Sequence, residues 1–355
     1  MPSTFELSGA VKLRKIMRAY LPRVLSSRKL LQIFPLVKQD RDKLVYERRQ
    51  IATGLQQVRG LGGPTLPVSK PGLDTFDVLP GYYGDSYVIG ENELVRQREI
   101  GDWETFENAD SQMARATEHL TERWLNRAEK NVSDLLTTGG FTVVNPQGVS
   151  YHQDVFNVRQ YTPGTLFDDL TNSTPINYVR DLIPKIQLGL AVDFTKGFML
   201  MSRPTLNLFL KNANAADING KRLRYGETIN GEDQLSEILT ENSLPPVMVY
   251  DEVWYADPPG SNPPTTPAAT RFIPNGKIVL VGRRVDGEPV GEYSLTRAAQ
   301  NEKSGPGEWY QVEDRRANDP CQIIMRAGHN GGPVAYYSEA IAVINAAASN
   351  SSAFS

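Results

Sequence analysis

The stretch from Ser111 to Thr137 carries one apolar stripe: Met113, Ala116, Leu120, Trp124, Ala128, Val132 and Leu135 recur every three or four residues. That spacing brings each side chain back to one face of an α-helix. Asp110 or Ser111 can cap its start, and Gly139-Gly140 stops it. At 1.5 Å per residue, a helix over 111–137 spans roughly 40 Å. Such a helix is a spine for a sheet to lie across, and Met113, Leu120, Trp124 and Val132 are its candidate core. The carboxylates of Glu91, Glu93, Glu99, Asp102, Glu104, Glu107 and Asp110 precede it. They lie near the positive end of its dipole, where negative charge is favoured.

A chain of 355 residues suggests about two domains and is long enough to bury a core without disulfide or metal staples. Its one cysteine, Cys321, excludes an intrachain disulfide framework and fits a reducing compartment. No window approaches the roughly 18 apolar residues of a membrane span. The first residues lack an apolar core before a small-residue cleavage site, so the sequence predicts neither export nor a membrane. The two matches to the glycosylation sequon, at Asn131 and Asn172, then read as chance. Net charge is −3, unevenly placed. Residues 1–60 hold thirteen Lys and Arg against four acids, which leaves the remainder acidic. A basic N-terminal segment on an acidic body predicts an arm that meets acidic protein or nucleic acid.

Within that arm, Leu13, Ile16, Met17, Tyr20 and Leu21 share one helical face, with Lys12, Arg14, Lys15 and Arg18 mostly on the other. Pro22 interrupts this pattern just before Arg23, and Pro35 follows the cluster Leu30, Leu31, Ile33 and Phe34. Short amphipathic pieces broken by prolines predict an arm laid on another surface instead of a domain core. Residues 42–88 read as a long hairpin. Asp42–Arg49 has strand character, a Gly- and Pro-rich tip follows, and Leu73–Tyr87 returns, interrupted at Pro80-Gly81. The chain offers few residues to bury such a ribbon, and a two-stranded ribbon alone is marginal in water. The covering surface is therefore expected on a neighbouring copy. Arg48, Arg49, Leu55, Val58, Leu61, Leu66 and Val68 are the candidate contacts.

Further along, Phe141–Val144 and Val149–His152 read as a hairpin around Asn145–Gly148. A helix opens at Thr174-Pro175 with Ile176, Val179, Ile183 and Ile186 inward, and Pro184 is expected to kink it or end it early. Strands are predicted at 197–201, 247–250, 253–255, 278–281, 334–337 and 340–344, with helices at 204–210 and 232–240. The segments 258–267 and 297–314 remain unassigned.

Catalytic patterns are sparse. Of the three histidines, His119 lies in the spine helix, and His152 with Asp154 supplies at most two ligands where zinc needs three or four. Gly60–Gly63 lacks the ending of a phosphate loop. Asp251 and Glu252, adjacent on a strand, point to opposite faces. Cys321 has no histidine partner in sequence, and a structural role is its default. The sequence therefore predicts no catalytic residue, no cofactor and no metal.

In their order, four passages resemble the major capsid proteins of the phage lambda E type, which share the Hong Kong 97-like shell fold. These are Leu30-Leu-Gln-Ile-Phe-Pro35 leading into the hairpin strands Leu44–Arg49 and Thr75–Pro80; Gln112–Leu136 followed by Thr137–Val143; Val247–Asp251 with Arg271–Val281; and Asp319-Pro320 before a closing strand near Pro333-Val334. The resemblance runs from about Leu31 to about Ile344 and contains no catalytic signature.

The resemblance implies an α+β fold: an N-terminal arm (1–41), an extended loop (42–88), a peripheral domain with the spine helix (89–172), an axial domain (173–318), and a return to the peripheral domain with a C-terminal tail (319–355). It implies a non-enzymatic head protein that assembles as hexamers and pentamers into an icosahedral shell around double-stranded DNA, held without sequence-specific binding. Scaffolding, portal and decoration proteins are the implied partners, the virion the implied location, and the host cytoplasm the place of assembly. Some shells of this fold carry Lys–Asn cross-links. Lys70 is a conceivable donor, but an exposed lysine is the plainer reading and no cross-link is predicted. An encapsulin-like compartment and, less in keeping with the residues, a hydrolase using His152 and Asp154 are the competing expectations.

Overall fold

A computed structural model describes residues 20–22, 24–41, 43–49, 73–96, 109–144, 150–187, 192–212, 217–218, 221–222, 232–255, 269–284, 287, 289–299, 305–317 and 319–348. Its first half holds helix α1 (Lys29–Ile33), strands β1 (Leu36–Lys38), β2 (Leu44–Arg49), β3 (Leu73–Val78) and β4 (Gly81–Gly90), and helices α2 (Glu91–Arg96) and α3 (Ala109–Thr138). Strands β5 (Gly140–Val144), β6 (Ser150–Val155) and β7 (Arg159–Tyr161) precede helix α4 (Pro175–Gln187), strand β8 (Val192–Met201) and helix α5 (Arg203–Lys211). Then come β9 (Asp217–Ile218), β10 (Lys221–Arg222), helix α6 (Glu232–Glu241), β11 (Val247–Val249), β12 (Val253–Tyr255) and β13 (Ala269–Arg271). The last strands are β14 (Lys277–Arg284), β15 (Gly291–Thr296), β16 (Trp309–Asp314), β17 (Gln322–Ala335) and β18 (Ile341–Asn345).

Helix α3 is the expected spine, two residues longer at its start and one at its end. Ala116, Leu120, Trp124, Leu125, Ala128, Val132, Leu135 and Leu136 are buried along it, and Met113 is half-buried. Buried threonines on the same helix do not break it, because their hydroxyls donate one turn back: Thr121 to the Thr117 carbonyl at 2.6 Å and Thr137 to that of Ser133 at 2.7 Å. Gly139 ends it at φ 76°, a left-handed position where a side chain is strained, and donates to the Leu135 carbonyl at 2.9 Å.

Two sheets meet this helix. In the first, β17 is central: β4 pairs along one edge through Gln322–Gly331, while β16 and then β15 share the other. Strand β1 extends it beside β15 in parallel. The second runs β11-β8-β14-β18-β7, with parallel pairs at both ends. Its central strands are apolar on both faces, with Ile278–Val281 and Ile341–Ile344 buried and helices α4, α5 and α6 contributing to the same core.

Several expectations need correction. Among the described residues the hairpin comprises β2 and β3, paired from Leu44–Val78 to Arg49–Leu73; residues 81–90 leave it and pair with β17. Tyr87 and Ile89 find an apolar seat against α3 there, which a free ribbon would not give them. The hairpin root is also buried by its own chain: Leu44, Tyr46 and Val78 pack on Phe141, Val143 and Val334. Within 1–41, the piece from Leu30 to Phe34 is no arm on a foreign surface, since Leu30, Leu31 and Phe34 lie inside the main core. Helix α4 continues past Pro184 to Gln187, because fully buried Ile186 holds the last turn against the core. The unassigned segment 297–314 contains β16, and the closing strand begins at Gln322, well before Val334.

Candidate assembly surfaces

The root of the hairpin is fixed by a buried carboxylate. Glu292 on β15 accepts from Gln39 Nε2 at 2.6 Å and from the Tyr46 hydroxyl at 3.2 Å, while the Tyr46 hydroxyl also meets Ser294 Oγ at 2.6 Å. Tyr46 stacks on Phe76 across the hairpin and meets Tyr336 edge to face. Burial and the nearby Glu292 push the Tyr336 hydroxyl well above its ordinary pKa, so it stays a neutral donor. The hairpin thus leaves the body from a rigid base. Arg48 and Arg49 lie on β2 in register with Asp74 and Leu73. Leu55, Val58, Leu61, Leu66, Val68 and Lys70 fall outside the described residues, as do Lys12, Arg14, Lys15, Arg18 and Arg23 and the segment 258–267.

Where the N-terminal segment is described, it is tied to α3 and to the strand end of β11. Arg28 reaches Glu129 at 2.8 Å, and Tyr250 donates to the same carboxylate at 2.6 Å. Lys29 donates to the Val249 carbonyl at 2.9 Å, and Tyr20 to Glu122 at 2.7 Å. Burial raises the Glu129 pKa despite Arg28 and Tyr250, and burial with Glu122 lifts Tyr20 to about 12.

The face of the first sheet away from α3 is half covered. The hairpin root and β5 sit over its β15 end. Toward β4 lies an open groove of about 630 Å³, lined by Tyr82, Gly84, Trp309, Arg297, Arg326 and Asn330. Tyr82 is 71% exposed, and Leu79 and Val88 on the same stretch are also exposed. Among the described residues β4 has no second partner strand.

Of the spine positions, Leu120, Trp124 and Val132 face inward and Met113 sits at the margin; Trp124 also donates its indole N–H to the Tyr310 hydroxyl at 2.9 Å. His119 is exposed and meets Tyr87 edge to face. Asp251 accepts from Arg271 at 2.8 Å, an ion pair at the surface. Cys321 is a free, half-buried thiol. Among the described residues no group of three or more His, Cys, Asp and Glu side chains gathers as a metal site, and no helix is long and apolar enough to cross a membrane. Sequence reasoning passed over His329, which is fully buried between α3 and the first sheet. No spacing in the sequence marks it as core.

No protein-family model and no curated protein matches the sequence. Solved structures do. The capsid of a native GTA particle aligns with a TM-score of 0.53 at 14% identity, over 90% of this chain and 90% of that one. A phage-related protein from Bordetella bronchiseptica RB50 aligns with a TM-score of 0.51 at 13% identity, over 91% of this chain and 94% of that one. Mixed α+β, with a 30-residue helix supporting one sheet and entering the core of a second, this chain has the fold of a phage capsid protein.

Proposed function

We propose that this chain is the major capsid protein of a tailed phage, a Hong Kong 97-like subunit that assembles as hexamers and pentamers into an icosahedral shell around double-stranded DNA. The fold likeness over nine tenths of both aligned chains carries the reading. In it, residues 89–172 and 319–355 form the peripheral domain and 173–318 the axial domain around each capsomer centre. The hairpin tip, with Leu55, Val58, Leu61, Leu66 and Val68 beside Arg48 and Arg49, clasps the adjacent subunit. A root held by Glu292, Tyr46 and Leu44 supports this role, because a rigid base lets a tip contact transmit force to the sheet. The basic residues Lys12, Arg14, Lys15, Arg18 and Arg23 meet a scaffolding protein or packaged DNA, whose phosphates favour them without base readout. Portal and decoration proteins complete the particle, which forms in the host cytoplasm. The subunit performs no catalysis.

Closed symmetry multiplies weak contacts, so each pairwise contact can be modest. The test is co-expression with the neighbouring head genes, followed by sedimentation and electron microscopy. Closed shells that hold nucleic acid support the reading. Shells with enclosed enzyme and no nucleic acid point to a cargo compartment instead, and a persistent monomer removes the proposal.

A further inference from the structure

His329 on β17 lies in a buried cluster where α3 and the first sheet exchange polar contacts. Its ring stacks on Tyr83 of β4 with centroids 5.1 Å apart, and Trp124 of α3 tilts against it at 5.3 Å. His329 Nε2 lies 2.9 Å from the Tyr293 hydroxyl of β15. Asn131 of α3 donates its amide to the hydroxyls of both Tyr293 and Tyr83 at 3.2 Å. The Tyr293 oxygen accepts from Asn131 and shares one further hydrogen bond with Nε2, whose direction follows the tautomer of the ring. Nδ1 is buried and has no hydrogen-bond partner among the described residues.

In the doubly protonated ring both nitrogens carry hydrogen, and the hydrogen on Nδ1 finds no acceptor among the described residues. Among the described residues the charged group acting on the ring is a cation, Arg127. Strand β4 contributes Tyr83, β15 contributes Tyr293, and β16 contributes Tyr310 behind Trp124. Helix α3 contributes Trp124, Asn131 and the cation Arg127, whose guanidinium stands 5.5 Å over the Tyr83 ring. Three carboxylates flank the cluster and each has a cation of its own: Asp134, which acts on Tyr83, has Lys130, Glu308, which acts on Tyr310, has Lys38, and Asp85 has Arg123. We propose that His329 is an acid-sensitive lock between the long helix and the first sheet: neutral, it seals their interface, and protonated it drives β4, β15 and β17 off α3.

Burial, with Arg127 adding to it, holds the His329 pKa down at about 3 against an ordinary 6.5. In the unfolded chain the ring takes its proton near 6.5, so between these values the unfolded state binds more protons. Stability present above pH 6.5 is therefore lost as pH falls through this window. From His329 alone, each pH unit below about 6.5 weakens the folding constant about tenfold, or about 100-fold at pH 4.5. The lock belongs to the single chain, so its test needs no shell, and its failure is separate from failure of the capsid reading.

Urea unfolding of the unassembled full chain between pH 7.5 and 4.5 is compared with that of His329→Gln, which cannot take the proton. The native chain is expected to lose about 100-fold more of its folding constant between pH 7.5 and 4.5 than the variant; parallel profiles overturn the proposal. Imidazole NMR of the native folded chain gives an independent reading even where the variant does not fold. One of the three histidines should stay neutral at pH 4.5, and titration of all three near 6.5 rejects the lock. Arg127→Gln should raise the pH at which that ring titrates; no movement places Arg127 outside the device.

Discussion

Trp124 does two jobs at one position, filling the space between α3 and the first sheet and donating to the Tyr310 hydroxyl. Trp124→Ala should cost about 3–5 kcal/mol in denaturant unfolding, and Trp124→Phe less, since it restores ring volume and removes only one of the two side-chain hydrogen bonds of Tyr310, the other being to Thr121. The Arg28–Glu129 pair is a different case. Glu129 is buried and its pKa is raised by desolvation, so its ionised form already opposes folding. A carboxyl with a raised folded pKa favours the fold most below its unfolded value, and that contribution is lost as pH rises through the folded value. Arg28→Met strands the charge and should destabilise by about 3–5 kcal/mol at pH 7. The loss should shrink as pH falls and Glu129 protonates, and Arg28→Met with Glu129→Leu should recover most of it. A loss independent of pH would remove Glu129 from the account.

Strand β17 explains how a Gly-rich run becomes the centre of a sheet. Gly328 faces Gly84 across the ladder, and Trp309 lies over both. A Cβ at Gly328 would collide with the Tyr83 carbonyl and stand 2.6 Å from the Trp309 ring. Gly328→Ala should therefore cost at least about 1–3 kcal/mol, whereas Gly164→Ala, facing open space, should stay within about 0.5 kcal/mol. Melting curves of the two variants decide. Equal stability would mean that the cross-strand floor under Trp309 gives way freely. At this scale too, the hairpin is seated by Leu44, Tyr46 and Val78, so its root belongs to the fold and only what lies beyond Arg49 and Leu73 is available for a separate role.

For the whole molecule, folding and assembly should separate. Replacing Gly54–Lys70 with a short Gly-Ser turn leaves the Tyr46–Glu292 root, α3 and both sheets in place. Circular dichroism and melting should stay native, while the particle yield by electron microscopy falls to background. Normal closed shells would remove the clasp role of the tip. An unfolded variant would instead make the tip part of the subunit's own core.

The strongest local patterns were legible in the residues themselves. The stripe from Met113 to Leu135 determined α3, Gly139 its end, and the apolar runs at 278–281 and 340–344 the centre of the second sheet. Each follows from a period or a stop signal that acts within a few residues. Tertiary structure decided the rest. Strand β15 is buried although Glu292 and Ser294 interrupt any apolar pattern, because Gln39 and Tyr46, distant in sequence, supply the partners. Glycines at 328, 331 and 332 lie within a 14-residue strand because rings and neighbouring backbone occupy the space a side chain would need. Residues 81–90 left the hairpin for the same kind of reason: their alternation fits either partner equally, and only the presence of α3 beneath β17 makes one pairing the buried one.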